Sequence, residues 1–209
     1  MPQVSVIDTR VANIASMCVA LERLEAHVEL ASTAEKIAEA EFVVLPGVGS
    51  FAAGMERITA LQIGDAIRNR VKENQPTLAV CLGLQLFCAS SAESPNTEGL
   101  GIVNTEVERF DSTLKVPQLG WNTVSPKTDS NAFFESGAAY FANSFCVRNI
   151  PEGWEYATTN YGGDFVSSFW KGRILCCQFH PELSGTWGLD LMKRWLSTTS
   201  NRSLEDVKC

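Results

Sequence analysis

At 209 residues, with 45% hydrophobic and 20% charged side chains, 15 glycines and 8 prolines, the chain has ordinary globular usage and the length of one compact domain. Collagen-like, coiled-coil and wholly disordered architectures are excluded. Seventeen basic residues against 24 acidic ones leave a formal charge of −7; without a Lys/Arg run to neutralise phosphates, nucleic acid is not an expected partner.

No stretch approaches the roughly 18 apolar residues of a membrane helix, and residues 1–8 read as a short strand rather than a basic leader. A soluble, cytoplasmic protein with no membrane partner is expected. The seven cysteines are odd in number, and Cys176 and Cys177 are adjacent. Cys18, Cys88 and Cys146 sit in apolar surroundings, so free thiols are expected rather than a disulfide framework. The sequence has no Cys-x-x-Cys pair, and its two histidines are His27 and His180. Neither a metal nor another cofactor is therefore expected.

Val4 to Asp8 reads as a strand, and Asn13 is placed to cap a helix carrying Ile14, Met17, Cys18, Leu21 and Leu24 at three- and four-residue spacing. Residues 27–30 form a second strand. Phe42-Val43-Val44-Leu45 has the composition of a buried strand, broken by Pro46-Gly47-Val48-Gly49-Ser50. A helix follows over 63–73, then a strand over 77–80 that ends at Cys81, and a helix over 83–90 entered directly from it. Residues 91–99 are a polar loop. Strands alternating with helices place a parallel sheet in this half.

From residue 102 onward, short strands at 103–107, 121–125, 139–141, 156–159, 165–169 and 174–178 are punctuated by Gly, Pro and Asn, and this half looks more antiparallel. A helix over 186–196 places Leu189, Met192 and Trp195 on one face, and 197–209 is a polar tail. The expected fold is a single α/β domain over 1–196, its central, mostly parallel sheet flanked by helices and extended by antiparallel strands in the second half.

Three segments can carry chemistry. In Ala79-Val80-Cys81-Leu82-Gly83 a buried strand turns straight into a helix with a nucleophile at the corner, and small residues stand two positions to either side. That is the pattern of a nucleophile elbow, where flanking backbones approach too closely for bulky side chains. Free N–H groups at the helix start favour a thiolate, and the N–H of Leu82 can donate to an oxyanion. A core cysteine at a helix start is the competing reading. In Gln178-Phe179-His180-Pro181-Glu182, proline holds His180 extended, so His180 and Glu182 project to one side. A carboxylate could then fix the imidazole tautomer while the other ring nitrogen meets a thiol; a strand-ending turn with an exposed charge is the plainer alternative. His27 reads as a surface residue, which leaves His180 as the base. The third segment, Pro46 to Ser50, lets backbone approach a ligand and could supply a second oxyanion donor at the same sheet edge. It is followed by no Walker lysine and completes no G-x-G-x-x-G, so a nucleotide role is not expected.

Taken together, the Pro-Gly-Val-Gly loop, Cys81-Leu82-Gly83-Leu84-Gln85 and Gln178-Phe179-His180-Pro181-Glu182 resemble the motifs of class I (triad) glutamine amidotransferases. The resemblance covers about residues 1 to 196. Within that family the chain is most similar to the glutaminase subunits of imidazole glycerol phosphate synthases, on Ile7-Asp8-Thr9, Ala12-Asn13, Glu93-Ser94, Gly120-Trp121-Asn122, Tyr140-Phe141 and Ser184-Gly185.

The resemblance implies a cysteine-dependent glutaminase that forms a heterodimer and passes ammonia to a (β/α)8-barrel cyclase partner in histidine biosynthesis. Cys81 would attack glutamine, His180 would serve as acid and base, and Glu182 would orient it. Val48 and Leu82 would hold the oxyanion, and Gly49, Gln85, Ser144 and Phe145 would grip the amino-acid end of the substrate. Helical spacing independently turns Gln85 back towards Cys81. Trp121, Tyr140 and Asn13 would face the barrel, although Trp121 and Tyr140 read equally well as half-buried strand aromatics.

Such subunits often carry His where Gln118 and Asn143 stand, and a basic residue where Leu183 follows Glu182. These departures keep open a paralogue serving another acceptor, such as a sugar of a surface polysaccharide. A stand-alone cysteine hydrolase of γ-glutamyl amides and a catalytically dead scaffold are further readings; intact Cys81, His180 and Glu182 argue against the last.

Overall fold

The computed structural model describes residues 1–9, 14–127 and 133–198. In the first half β1 (Gln3–Ile7), α1 (Ile14–Arg23), β2 (His27–Ala31), α2 (Ala34–Glu39), β3 (Phe42–Gly47), α3 (Phe51–Ala60), α4 (Gly64–Lys72) and β4 (Thr77–Cys81) alternate. After α5 (Leu82–Leu86) come β5 (Cys88–Ser91), β6 (Val103–Arg109), β7 (Gln118–Pro126), β8 (Gly137–Asn143), β9 (Phe145–Val147), β10 (Glu155–Asn160), β11 (Asp164–Lys171) and β12 (Ile174–Cys177). A 3-10 turn, Pro181–Leu183, leads into α6 (Gly185–Leu196).

The sheet has two halves, as the sequence pattern predicts. Strands β2-β1-β3-β4-β12 pair in parallel, and β12-β11-β10-β7-β8 continue in antiparallel pairs. Strand β9 joins β11 to β6, which pairs with β5. Side chains alternate across this sheet, so each central strand feeds two cores. Phe42, Val44, Leu78, Val80, Leu175 and Cys177 pack with Met17 and Leu21 of α1 and Leu191, Met192 and Trp195 of α6. Val43, Leu45, Ala79, Ile174 and Cys176 pack with Ile37, Phe51, Met55, Ile58 and Ile67 of α2, α3 and α4. This two-sided burial explains why β3, β4 and β12 read as continuous apolar runs.

Several expectations change. Strand β3 is not broken at Pro46: it runs through Gly47, with Pro46 opposite Val80 and Gly47 opposite Cys81. The helix expected over 83–90 stops at Leu86, because Cys88–Ser91 pairs with β6 instead. Helices α2 and α3 and strand β9 escape the periodicity reading. Both helices carry legible N-caps, since Thr33 accepts from the Lys36 N–H and Ser50 from the Ala53 N–H. The last helix buries Leu191 rather than Leu189 beside Met192 and Trp195. Asn13 and most of the 197–209 tail lie outside the described residues. Among the described residues, no helix is long and apolar enough to cross a membrane.

Candidate active site

The parallel strands β3 and β4 end side by side, and their register places Gly47 against Cys81. Cys81 sits at φ 55° and ψ −110°, a strained conformation for a residue with a side chain. Its neighbours make the corner possible. A Cβ at Gly83 would overlap the Leu45 carbonyl oxygen, and one at Gly47 would stand 2.8 Å from Leu82 Cβ. The small residues around Cys81 are thus demanded by backbone approach. Helix α5 has only five residues, so the local N–H groups at its start, rather than a long aligned helix, are what it offers a charge.

His180 is delivered to the same edge by β12, which runs parallel to β4 and places Cys177 against Val80; the ring follows three residues beyond that strand's end. Its N–H donates to the Tyr140 carbonyl at 2.9 Å, while the Ser184 hydroxyl donates to the His180 carbonyl at 2.6 Å and accepts from the Tyr140 N–H at 3.0 Å. His180 itself is extended, as Pro181 predicts, but Glu182 lies in the 3-10 turn that follows. The turn, not continued extension, brings Glu182 Oε1 to 2.9 Å from His180 Nδ1. The ring and Cys81 line the same cleft. Burial alone pushes the imidazole down, but the hydrogen bonds and charges of Cys81 and Glu182 outweigh it and raise His180 to about 10. His27 is exposed, as expected.

The cleft beside these residues encloses about 320 Å³ and is lined by Val48, Gly49, Cys81, Leu82, Gln85, Ser144, Phe145 and His180, together with Glu93, Ala142 and Asn143. That size suits a small metabolite. All the residues expected to hold the oxyanion or the substrate are brought together here. Three residues with site contacts received no role from sequence reasoning. Gln178 Nε2 donates to Cys81 Sγ at 3.8 Å, Glu93 Oε2 accepts from the Phe51 N–H at 2.7 Å behind the Val48–Gly49 loop, and Ser184 clamps His180. The alternation that aligns His180 with the strand face was the available signal for Gln178.

The other described cysteines lie away from this corner or on strands packed into the cores. All are free, and burial pushes Cys88 up to about 12 and Cys146 up to about 11, as expected of core thiols. At the rim, Trp121 and Tyr140 face one another across β7 and β8 with ring centroids 6.1 Å apart. Trp121 is 60% exposed and Leu119, on the same face, 68% exposed; Val48 and Leu183 are also exposed. Gln118 pairs with Asn143 across β7 and β8, and both are buried.

A nucleophile-bearing elbow, a carboxylate-oriented imidazole and a small cleft can together carry acyl transfer from an amide. The sequence profile of "Glutamine amidotransferase class-I" matches residues 5–196. The chain belongs to the class I glutamine amidotransferase family. It is 37% identical over 197 residues to the "Imidazole glycerol phosphate synthase subunit HisH" of Oceanobacillus iheyensis, covering 92% of this chain and 97% of that one. It is 35% identical to "Imidazole glycerol phosphate synthase hisHF, chloroplastic" of Arabidopsis thaliana, where 92% of this chain spans 34% of the longer protein. Among solved structures, a "Crystal structure of glutamine amidotransferase" superposes with a TM-score of 0.75 at 21% identity, covering 93% of this chain and 97% of that one. The curled α/β fold is thus that of class I amidotransferases.

Proposed function

We propose that this chain is the glutaminase subunit of an imidazole glycerol phosphate synthase and works in histidine biosynthesis. The observation that carries this reading is the row Cys81–His180–Glu182 at the mouth of a metabolite-sized cleft, in a chain similar over nearly its whole length to HisH subunits.

Cys81 Sγ attacks the carboxamide carbon of glutamine, and the N–H groups of Leu82 and Val48 stabilise the oxyanion. His180, which has taken the thiol proton, gives it to the departing nitrogen; the C–N bond breaks, ammonia leaves, and a glutamyl thioester remains on Cys81. A water that loses a proton to His180 then cleaves the thioester, so glutamine and water become glutamate and ammonia. Gly49, Gln85, Ser144 and Phe145 hold the amino-acid end.

The ammonia passes to a (β/α)8-barrel cyclase that forms imidazole glycerol phosphate and aminoimidazole carboxamide ribotide. The apolar rim of Val48, Leu119, Trp121 and Leu183 supports a docked partner, and the hisHF protein's extra length leaves room for a second unit in one polypeptide. Covering the cleft separates it from bulk solvent and keeps ammonia from escape. The absence of a basic residue at Leu183 favours testing the acceptor directly. The test is glutamate release by the chain alone and with a ligand-loaded barrel cyclase. Turnover is expected to be low alone and to rise with the partner; Cys81→Ala should abolish it while ammonia-dependent synthesis by the cyclase survives. Strong partner-independent hydrolysis would favour a free hydrolase, and glutamine consumption by Cys81→Ala would remove Cys81 as nucleophile.

A further inference from the structure

We propose that Gln178 is a further catalytic residue: its carboxamide N–H donates to the Cys81 sulfur and favours the thiolate, and its carbonyl locks that donor in place through Gln85. The inference rests on the reading of Cys81 as nucleophile given above.

Gln178 is fully buried at the end of β12, and its backbone N–H donates to the Ser167 carbonyl at 2.9 Å, so its side chain starts from a fixed point. Nε2 stands 3.8 Å from Cys81 Sγ, and Oε1 accepts from Gln85 Nε2 at 3.0 Å. The orientation of both amides is forced. The Phe145 backbone carbonyl can only accept, and it meets Gln85 Nε2 at 3.3 Å. Gln85 must therefore present its NH₂ group to this corner, Gln178 must answer with its oxygen, and the Gln178 NH₂ group is left to the sulfur. Asn143 Nδ2 donates to the same Phe145 carbonyl at 2.9 Å and holds it there.

A donor aimed at a buried sulfur stabilises the anion more than the neutral thiol, because a hydrogen bond to a charged group is stronger and its loss leaves that charge unsolvated. The titratable groups facing the sulfur are His180 with Glu182 behind it, and Glu93 across the cleft. Cys177 on the adjoining strand is buried, and burial holds it well above the ordinary thiol range. Of these, only His180 favours the anion, so a second donor has a clear task.

Alkylation of Cys81 by iodoacetamide, followed as a function of pH by peptide mass spectrometry, tests this without glutamine. Gln178→Met removes the donor at similar size. The reactivity midpoint should rise by about one pH unit, with alkylation at pH values below the parent midpoint reduced about tenfold. Gln178→Glu, which can still accept from Gln85 but brings negative charge to the sulfur, should rise further. It also serves if the Met variant does not fold. An unchanged midpoint in a folded variant, with only KM for glutamine raised, would overturn the inference and reduce Gln178 to a support for Gln85. Loss of the nucleophile assignment itself would show separately, as glutaminase activity in Cys81→Ala.

Discussion

His180 ties the chemistry of the site to the stability of the fold. Burial lowers its imidazole, yet Cys81 and Glu182 raise it to about 10, above its ordinary 6.5. A group raised on folding contributes stability that is complete below the unfolded value and fades as pH climbs through the folded one. The stability difference between the parent and Glu182→Gln should therefore be largest below pH 6.5 and shrink towards pH 10, as read by denaturant unfolding at several pH values. With two histidines in the chain, proton NMR can follow the same group. The His180 midpoint should lie above its ordinary 6.5 and fall in Cys81→Ala. A His180 resonance titrating below 6.5 in the parent would contradict the hydrogen-bonded pair.

At the scale of elements, the elbow depends on how closely β3 approaches the start of α5. Gly83 faces the Leu45 backbone carbonyl with no room for a Cβ, and backbone cannot swing aside. Gly83→Ala is expected to cost about 3 kcal/mol of unfolding free energy and to displace Cys81. Gly54 in the middle of α3 is a useful contrast. A Cβ there would meet the tips of the Leu86 side chain at 3.0 Å; the gain in helix propensity offsets that crowding, and Gly54→Ala should stay within about 1 kcal/mol of the parent. Equal losses in the two variants by chemical denaturation would show that the corner is not specially tight. The 3-10 turn after Pro181 acts at the same scale. Its sharp bend replaces an extended course and still delivers Glu182 to His180, while Ser184 pins both ends of the bend to Tyr140.

Over the whole molecule, the parallel strands deliver Val48 and Cys81 to one edge, and the antiparallel strands bring Trp121, Tyr140, Asn143 and Ser144 round to face them. Of the exposed apolar side chains, Val48, Leu119, Trp121 and Leu183 belong to this edge, with Trp121 at 60% exposure, whereas Met1, Val19 and Leu30 are carried by the N-terminal segments. Under the proposed function, Trp121→Ala should weaken association with the proposed barrel partner by about 2 kcal/mol, and partner-stimulated glutamine hydrolysis should fall with it at limiting partner. The melting temperature of the isolated chain should hardly move, because the ring covers little of either core. Titration of the partner by calorimetry checks this; unchanged affinity would place the docking surface elsewhere.

The local sequence specified the local geometry of the candidate site. Small residues around Cys81, proline after His180 and a carboxylate two positions on are short-range constraints, so the elbow and the pairing of His180 with Glu182 were legible, as were the parallel and antiparallel halves from their alternation. Long-range contacts were not. That Cys88–Ser91 leaves the helix depends on β6, that β3 continues past Pro46 depends on β4, and that Gln178 turns its NH₂ group to the sulfur depends on a carbonyl contributed by Phe145. Pairing partners and the direction of a buried amide are settled by whatever group stands across the gap, and only the folded chain brings that group there.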